Sequence, residues 1–147
     1  MDGAANYSLL AWTGLQLNEM LDQVASPIMI ADSDYSIQFV NRAANEMFAA
    51  IEKEIQSDLP HFRHDQVLGK SMDIFHRDAR VQRRILDGMS KQHNGSFTVG
   101  GKNLSFRATP IFNTDKVQTG VVVEWKDDTA VRHAARQVSA LMGGVRT

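Results

Sequence analysis

The chain has 147 residues, 43% of them hydrophobic, enough for one domain with a real core. Lys and Arg number 16 against 17 Asp and Glu, a net charge of -1, which argues against a general nucleic-acid binder because that needs a basic surplus to displace phosphate counterions. Cysteine is absent, which excludes disulfides, thiolate nucleophiles, iron–sulfur clusters and zinc knuckles.

The first ten residues, MDGAANYSLL, carry neither a basic n-region nor a long apolar h-region. No apolar run approaches the about 18 residues that span a bilayer. A cytoplasmic protein, or a cytoplasmic piece of a larger one, is expected. Residues Leu9 to Val24 read as a helix with a stripe of Leu10, Leu17, Leu21 and Val24, and Leu15 and Met20 beside it. Ser26-Pro27 ends it, since the residue before proline disfavours the helical region.

Two strand-like runs follow, Ile28–Ala31 and Ile37–Val40, around the turn-rich Asp32-Ser33-Asp34. Asn41 can cap the next helix, RAANEMFAAIEKEI, whose buried side holds Ala44, Met47, Phe48 and Ile51. Gln56 to Lys70 is irregular, with Leu59, Phe62, Val67 and Leu68 as anchors and a short helix near Asp65–Leu68. Asp78 then caps a helix in which Val81, Ile85 and Met89 recur every four residues. Just before that cap stands His76, an imidazole beside Phe75, Ile74 and Met72.

Asn94-Gly95 reads as a turn. Three strands come after it. The first is SFTVGG. The second sets Leu104, Phe106 and Ala108 against Ser105, Arg107 and Thr109. The third sets Val121, Val123 and Trp125 against Val122 and Glu124. NTDKVQTG joins the last two strands. Asp127-Asp128-Thr129 leads into an exit helix where Val131, Ala135, Val138 and Leu141/Met142 are spaced near 3.5 residues, like the start of a coiled coil. The expected architecture is α+β: a five-stranded antiparallel sheet, helices over one face, and a flanking helix at each end. The divisions are residues 1–24, 25–129 and 130–147. An apolar pocket between sheet and helices is a common ligand site.

From Val24 to Thr129 the sequence resembles a PAS sensor domain, through PIMIADSDYSIQFVNRAANEMF, LGKSMDIFHRD and GVVVEWKDDTA. The last two pieces are similar to the haem-binding PAS domains of soluble bacterial aerotaxis-type chemoreceptors. In that group the histidine of a D-x-F-H motif binds haem iron and a tryptophan on the last strand meets bound dioxygen. The matching positions are His76 and Trp125. A second histidine often follows five residues later in that group; Val81 stands there instead.

The resemblance implies haem b held by His76, with Phe75, Leu68, Met72, Ile85, Met89, Leu104, Phe106, Val121 and Val123 around it; Ile30, Phe39 and Leu86 are further candidates. An indole N–H is donor-only and would stabilise partly anionic dioxygen by roughly 1–3 kcal/mol, and carbon monoxide less. Asp127, Asp128 and Thr129 match the junction that links a PAS sheet to its output helix. The implied function is sensing of dioxygen or another diatomic gas, relayed to a downstream signalling module, with self-association through the flanking helices. No membrane or nucleic-acid partner is expected. The alternative is a PAS module without haem, which binds flavin or another small ligand, or acts by dimerising. No phosphate loop, paired carboxylates or nucleophile–base arrangement points to an enzyme.

Overall fold

The computed structural model describes residues 14–75 and 91–146. Among the described residues four helices are seen: α1 (Gly14–Leu21), α2 (Arg42–Ala50), α3 (Glu52–Asp58) and α4 (Thr129–Arg146). Five strands, β1 (Ile28–Asp32), β2 (Ile37–Val40), β3 (His93–Val99), β4 (Lys102–Phe112) and β5 (Gln118–Asp127), form one antiparallel sheet in the order β2-β1-β5-β4-β3. Two 3-10 turns, His64–Gln66 and Met72–Phe75, lie between α3 and β3. The expected helix that starts at Asp78, with Val81, Ile85 and Met89, falls outside the described residues, as does His76.

Strand alternation sets the inner face. Met29, Ala31, Ile37, Leu104, Ala108, Val121, Val123 and Trp125 are buried there, and Phe48 of α2, Ile55 of α3 and Ile51 between them add to it. Ile30 and Phe39 pair with each other across β1 and β2, and Ile30 also pairs with Val122 of β5. All three sit in the opposite, half-buried row, so neither Ile30 nor Phe39 faces the interior.

Asn41 does more than cap α2. Its Oδ1 accepts from Ala44 N at 3.0 Å and from Ile28 N at 2.9 Å. Its Nδ2 donates to Leu21 O, Val24 O and Ser26 O at 3.2, 3.3 and 2.9 Å. One fully buried amide therefore satisfies the end of α1, the start of β1 and the start of α2 together. Of the expected N-terminal stripe, Leu17 and Val24 are exposed, as is Met20 beside it, while Leu21 is half-buried and Leu10 lies outside the described residues.

Three local expectations give way to tertiary contacts. The helix after Asn41 is two helices, broken at Ile51, which has φ -115° and ψ 12°. The short helix near Asp65–Leu68 is the turn His64–Gln66. Asn94-Gly95 is not a turn but part of β3, opposite Arg107 and Phe106. A Cβ on Gly95 would stand 2.6 Å from the Phe106 ring, so the missing side chain is what admits that ring. The turn is made instead by Gly100 and Gly101, with φ 55° and 78°, between the paired residues Val99 and Lys102. Positive φ at both central residues is what a type I′ two-residue hairpin loop requires. Asp58 at the end of α3 accepts from Gly100 N at 2.7 Å and holds that hairpin to the helical layer.

Candidate functional site

The centre of the interior is aromatic. Trp125 projects inward from β5, and its ring centroid lies 5.0 Å from Phe75, 5.4 Å from Phe48, 5.8 Å from Phe106 and 6.0 Å from Phe97. Phe48 and Phe97 meet it edge-on, at 79° and 84°. This arrangement suits the ring quadrupoles. Phe62 completes the cluster against Phe48 and Phe75, at 5.9 and 5.8 Å.

One atom in this cluster is out of balance. Trp125 is 4% exposed, and its Nε1 is buried without a hydrogen-bond partner among the described residues. An indole N–H can only donate, and a buried unmade donor costs about 1–3 kcal/mol. Buried polar atoms are nearly always paired, so an orphan of this kind marks a place for an acceptor.

Backbone pairing fixes the wall opposite. Ile37 N donates to Lys70 O at 2.8 Å, Gly69 N to Ile37 O at 2.8 Å and Met72 N to Tyr35 O at 2.9 Å. These bonds tie residues 69–72 to β2 and deliver the 3-10 turn Met72–Phe75, with Met72 and Phe75 both buried. His76 follows Phe75 in the chain and lies outside the described residues, with Ile85 and Met89.

Of the remaining candidates, Met72, Phe75, Leu104, Val121, Val123 and Trp125 share one buried cluster, and Phe106 packs against it. Leu68 does not join them. It is 63% exposed and borders an outer groove with Phe39 and Arg42. Val67 takes the inward position at this turn, where Lys70 N bonds Val67 O at 3.0 Å. Phe48, Phe62 and Phe97 complete the surroundings of Trp125. Their helix, loop and strand positions show each as apolar but not which ring meets which.

The junction at the end of β5 is closely bonded. Asp127 Oδ1 accepts from Thr129 N at 2.9 Å and from Thr129 Oγ1 at 2.5 Å. Thr129 Oγ1 in turn accepts from Asn103 N at 2.9 Å, and Asp128 N donates to Asn103 O at 2.8 Å. Asn103 of β4, itself buried, thereby roots α4 in the sheet. Beyond that root, Val131, Val138, Leu141 and Met142 are exposed. Among the described residues no helix is long and apolar enough to cross a membrane, and no group of three or more His, Cys, Asp or Glu could hold a metal ion.

Glu52 and His64 form the other notable polar contact. The Glu52 carboxylate accepts from His64 N at 2.8 Å and also meets the imidazole Nδ1. The backbone N–H of His64 first, then its ring, hold the Glu52 carboxyl below the usual carboxylate range, with partial desolvation opposing them.

Comparison with known proteins agrees with this architecture. Residues 15–80 match the family model of the PAS domain. The methyl-accepting chemotaxis protein McpB of Pseudomonas aeruginosa is 32% identical over 127 residues, which are 86% of this chain and 19% of that protein. This chain thus spans only a small part of that relative's length. The Aer2 receptor of Vibrio cholerae, described as a dual PAS-haem oxygen sensor, superposes with a TM-score of 0.59 at 23% identity, over 69% of this chain and 93% of the other. An RNA-binding light-oxygen-voltage receptor gives 0.64 at 14% identity, over 93% of this chain and 39% of that one. At such identities these likenesses speak to fold alone. With the five-stranded sheet and the match over residues 15–80, they show that this chain has the PAS fold.

Proposed function

We propose that this PAS domain binds haem b and senses dioxygen or a similar diatomic gas for a chemoreceptor. The carrying observation is the buried Nε1 of Trp125 among apolar rings, unpaired among the described residues. A donor kept dry beside such rings suits a small, partly anionic acceptor, since its hydrogen bond is strongest where water is excluded. Haem b supplies an iron centre that takes a diatomic gas and needs an axial donor from the protein. His76 supplies that donor; one peptide bond joins it to Phe75, whose ring touches Trp125. Phe75, Met72, Leu104, Val121 and Val123 keep water out. Phe106, Ile85 and Met89 belong to the same proposed lining, whereas exposed Leu68 does not. Trp125 turns towards its acceptor, shifts β5 and biases α4 through Asp127, Asp128 and Thr129. A ligand moves such an equilibrium only by its differential affinity for the two arrangements. The output module lies beyond this chain, in keeping with its 19% share of the chemotaxis relative.

The test is the visible spectrum after reconstitution with haem b. The parent chain should give an intense Soret band that shifts with dioxygen and carbon monoxide, and His76→Ala should lose haem uptake. A variant that keeps full haem and an unchanged ferrous spectrum sinks the ligand assignment.

A second reading draws on the mutual contacts of Phe48, Phe62, Phe75 and Trp125, which fill the described interior with side chains. On that reading the domain takes no haem and acts by dimerising, and the supplied sample shows no Soret band.

A further inference from the structure

On the helical side of the domain a pocket of about 260 Å³ opens between the end of α3 and the turn Met72–Phe75. Leu59, Phe62 and Ile74 give it apolar walls. Phe62 is buried and belongs also to the aromatic cluster, touching Phe75, which touches Trp125. The pocket and the interior therefore share a wall one ring thick. The rim is basic: His61, Arg63 and Lys70 stand around it.

These rim groups are open to a ligand. Neither Arg63 nor Lys70 forms an ion pair with a described residue. Arg63 spends Nη1 on two carbonyls, Pro60 O and Phe62 O, which fixes the guanidinium at the rim and leaves its other N–H groups available. Lys70 is positioned through its backbone, whose carbonyl accepts from Ile37 N at 2.8 Å. The one acid of the pocket, Asp58, is engaged by Gly100 N. Glu52, which Arg63 attracts from farther off, is occupied by His64.

We infer that this rim is the site for the carboxylates of an amphipathic cofactor whose apolar body enters the aromatic interior, with Arg63 and Lys70 as the binding cations. In the haem reading, on which this inference rests, those carboxylates are the two propionates. A fork of guanidinium donors and an ammonium beside an apolar wall match a molecule that is greasy at one end and doubly anionic at the other.

The test compares haem b with its dimethyl ester in the full chain. Release to an excess of an apo-globin scavenger is followed at the Soret band for the parent, Arg63→Ala, Lys70→Ala and the double variant. Both substitutions lie on an exposed rim and leave the core intact. At low salt the double variant should lose haem b about tenfold faster than the parent, and the gap should narrow at high salt. The diester should leave parent and double variant at the same rate. Equal release of haem b from both, with a normal Soret band in each, overturns the carboxylate site and leaves the haem reading standing. A parent chain that develops no Soret band with haem b overturns both.

Discussion

Trp125 of β5 and Phe75 of the turn after α3 lie with their ring centroids 5.0 Å apart, far apart in sequence and in contact across the interior. This contact places the orphaned indole N–H beside the residue that precedes His76. The donor and Phe75 thus meet from opposite layers, sheet and turn.

Replacing Trp125 by Phe keeps an aromatic ring and removes the donor, together with part of the buried indole. In the haem-loaded domain, dioxygen should then dissociate about 10- to 100-fold faster, the equivalent of a lost hydrogen bond of roughly 1–3 kcal/mol to a charged group. Carbon monoxide should be released at nearly the parent rate. Stopped-flow measurement of both gases decides the matter; an unchanged dioxygen rate removes Trp125 from the mechanism.

Asn41→Ala strips five side-chain hydrogen bonds from a buried position. It removes a helix cap and leaves the Ile28 N–H without its partner, for a cost of about 3 kcal/mol. Urea unfolding should show the midpoint falling with little change of slope. A loss below about 1 kcal/mol would mean that water replaces the amide.

Gly100 and Gly101 share positive φ but not surroundings. A Cβ on Gly100 would lie 1.7 Å from Glu54 O, whereas Gly101 has open space. Gly101→Ala should cost roughly 1–2 kcal/mol, the left-handed penalty alone. Gly100→Ala should cost clearly more, since α3 or the hairpin must move. Matched thermal melts test the order, and equal losses would place the whole effect in φ.

The Glu52–His64 contact predicts an acid response. Glu52 has a folded pKa below its unfolded one, so the stability it adds is full above the ordinary carboxylate value, about 4.3, and drains as pH falls through the folded value. Glu52→Gln should flatten the fall of the urea midpoint between about pH 5 and pH 3. Parallel curves for parent and variant would show that the carboxylate titrates alike in both states.

The inner row of β5 was legible because alternation in Val121, Val123 and Trp125 states which side faces in, and the burial pattern bears it out, whereas the strand order was not read from the sequence. Leu104 and Ala108 obeyed the same rule in β4. Short-range reading failed where a distant partner decided the geometry. Asn94-Gly95 looks like a turn until Phe106 claims the space above Gly95. Leu68 looks like core until its neighbour Val67 takes the inward place. Asn41 announced its cap but not the three carbonyls it gathers, since carbonyls carry no residue signature. The empty donor of Trp125 depends on what surrounds it in space, and no spacing reveals that.

The attachment of α4 at Asn103 carries a mechanical consequence. The helix has 18 residues, an arm of about 27 Å at 1.5 Å per residue. Its near end is clamped by the Asn103, Asp127 and Thr129 bonds, while Val131 and Val138 farther along are exposed. A tilt of about 5° at that pivot swings the far tip by about 2 Å, comparable to the helix shifts that separate switch states at subunit interfaces. Any small displacement of β4 and β5 at that pivot would reach the far tip enlarged.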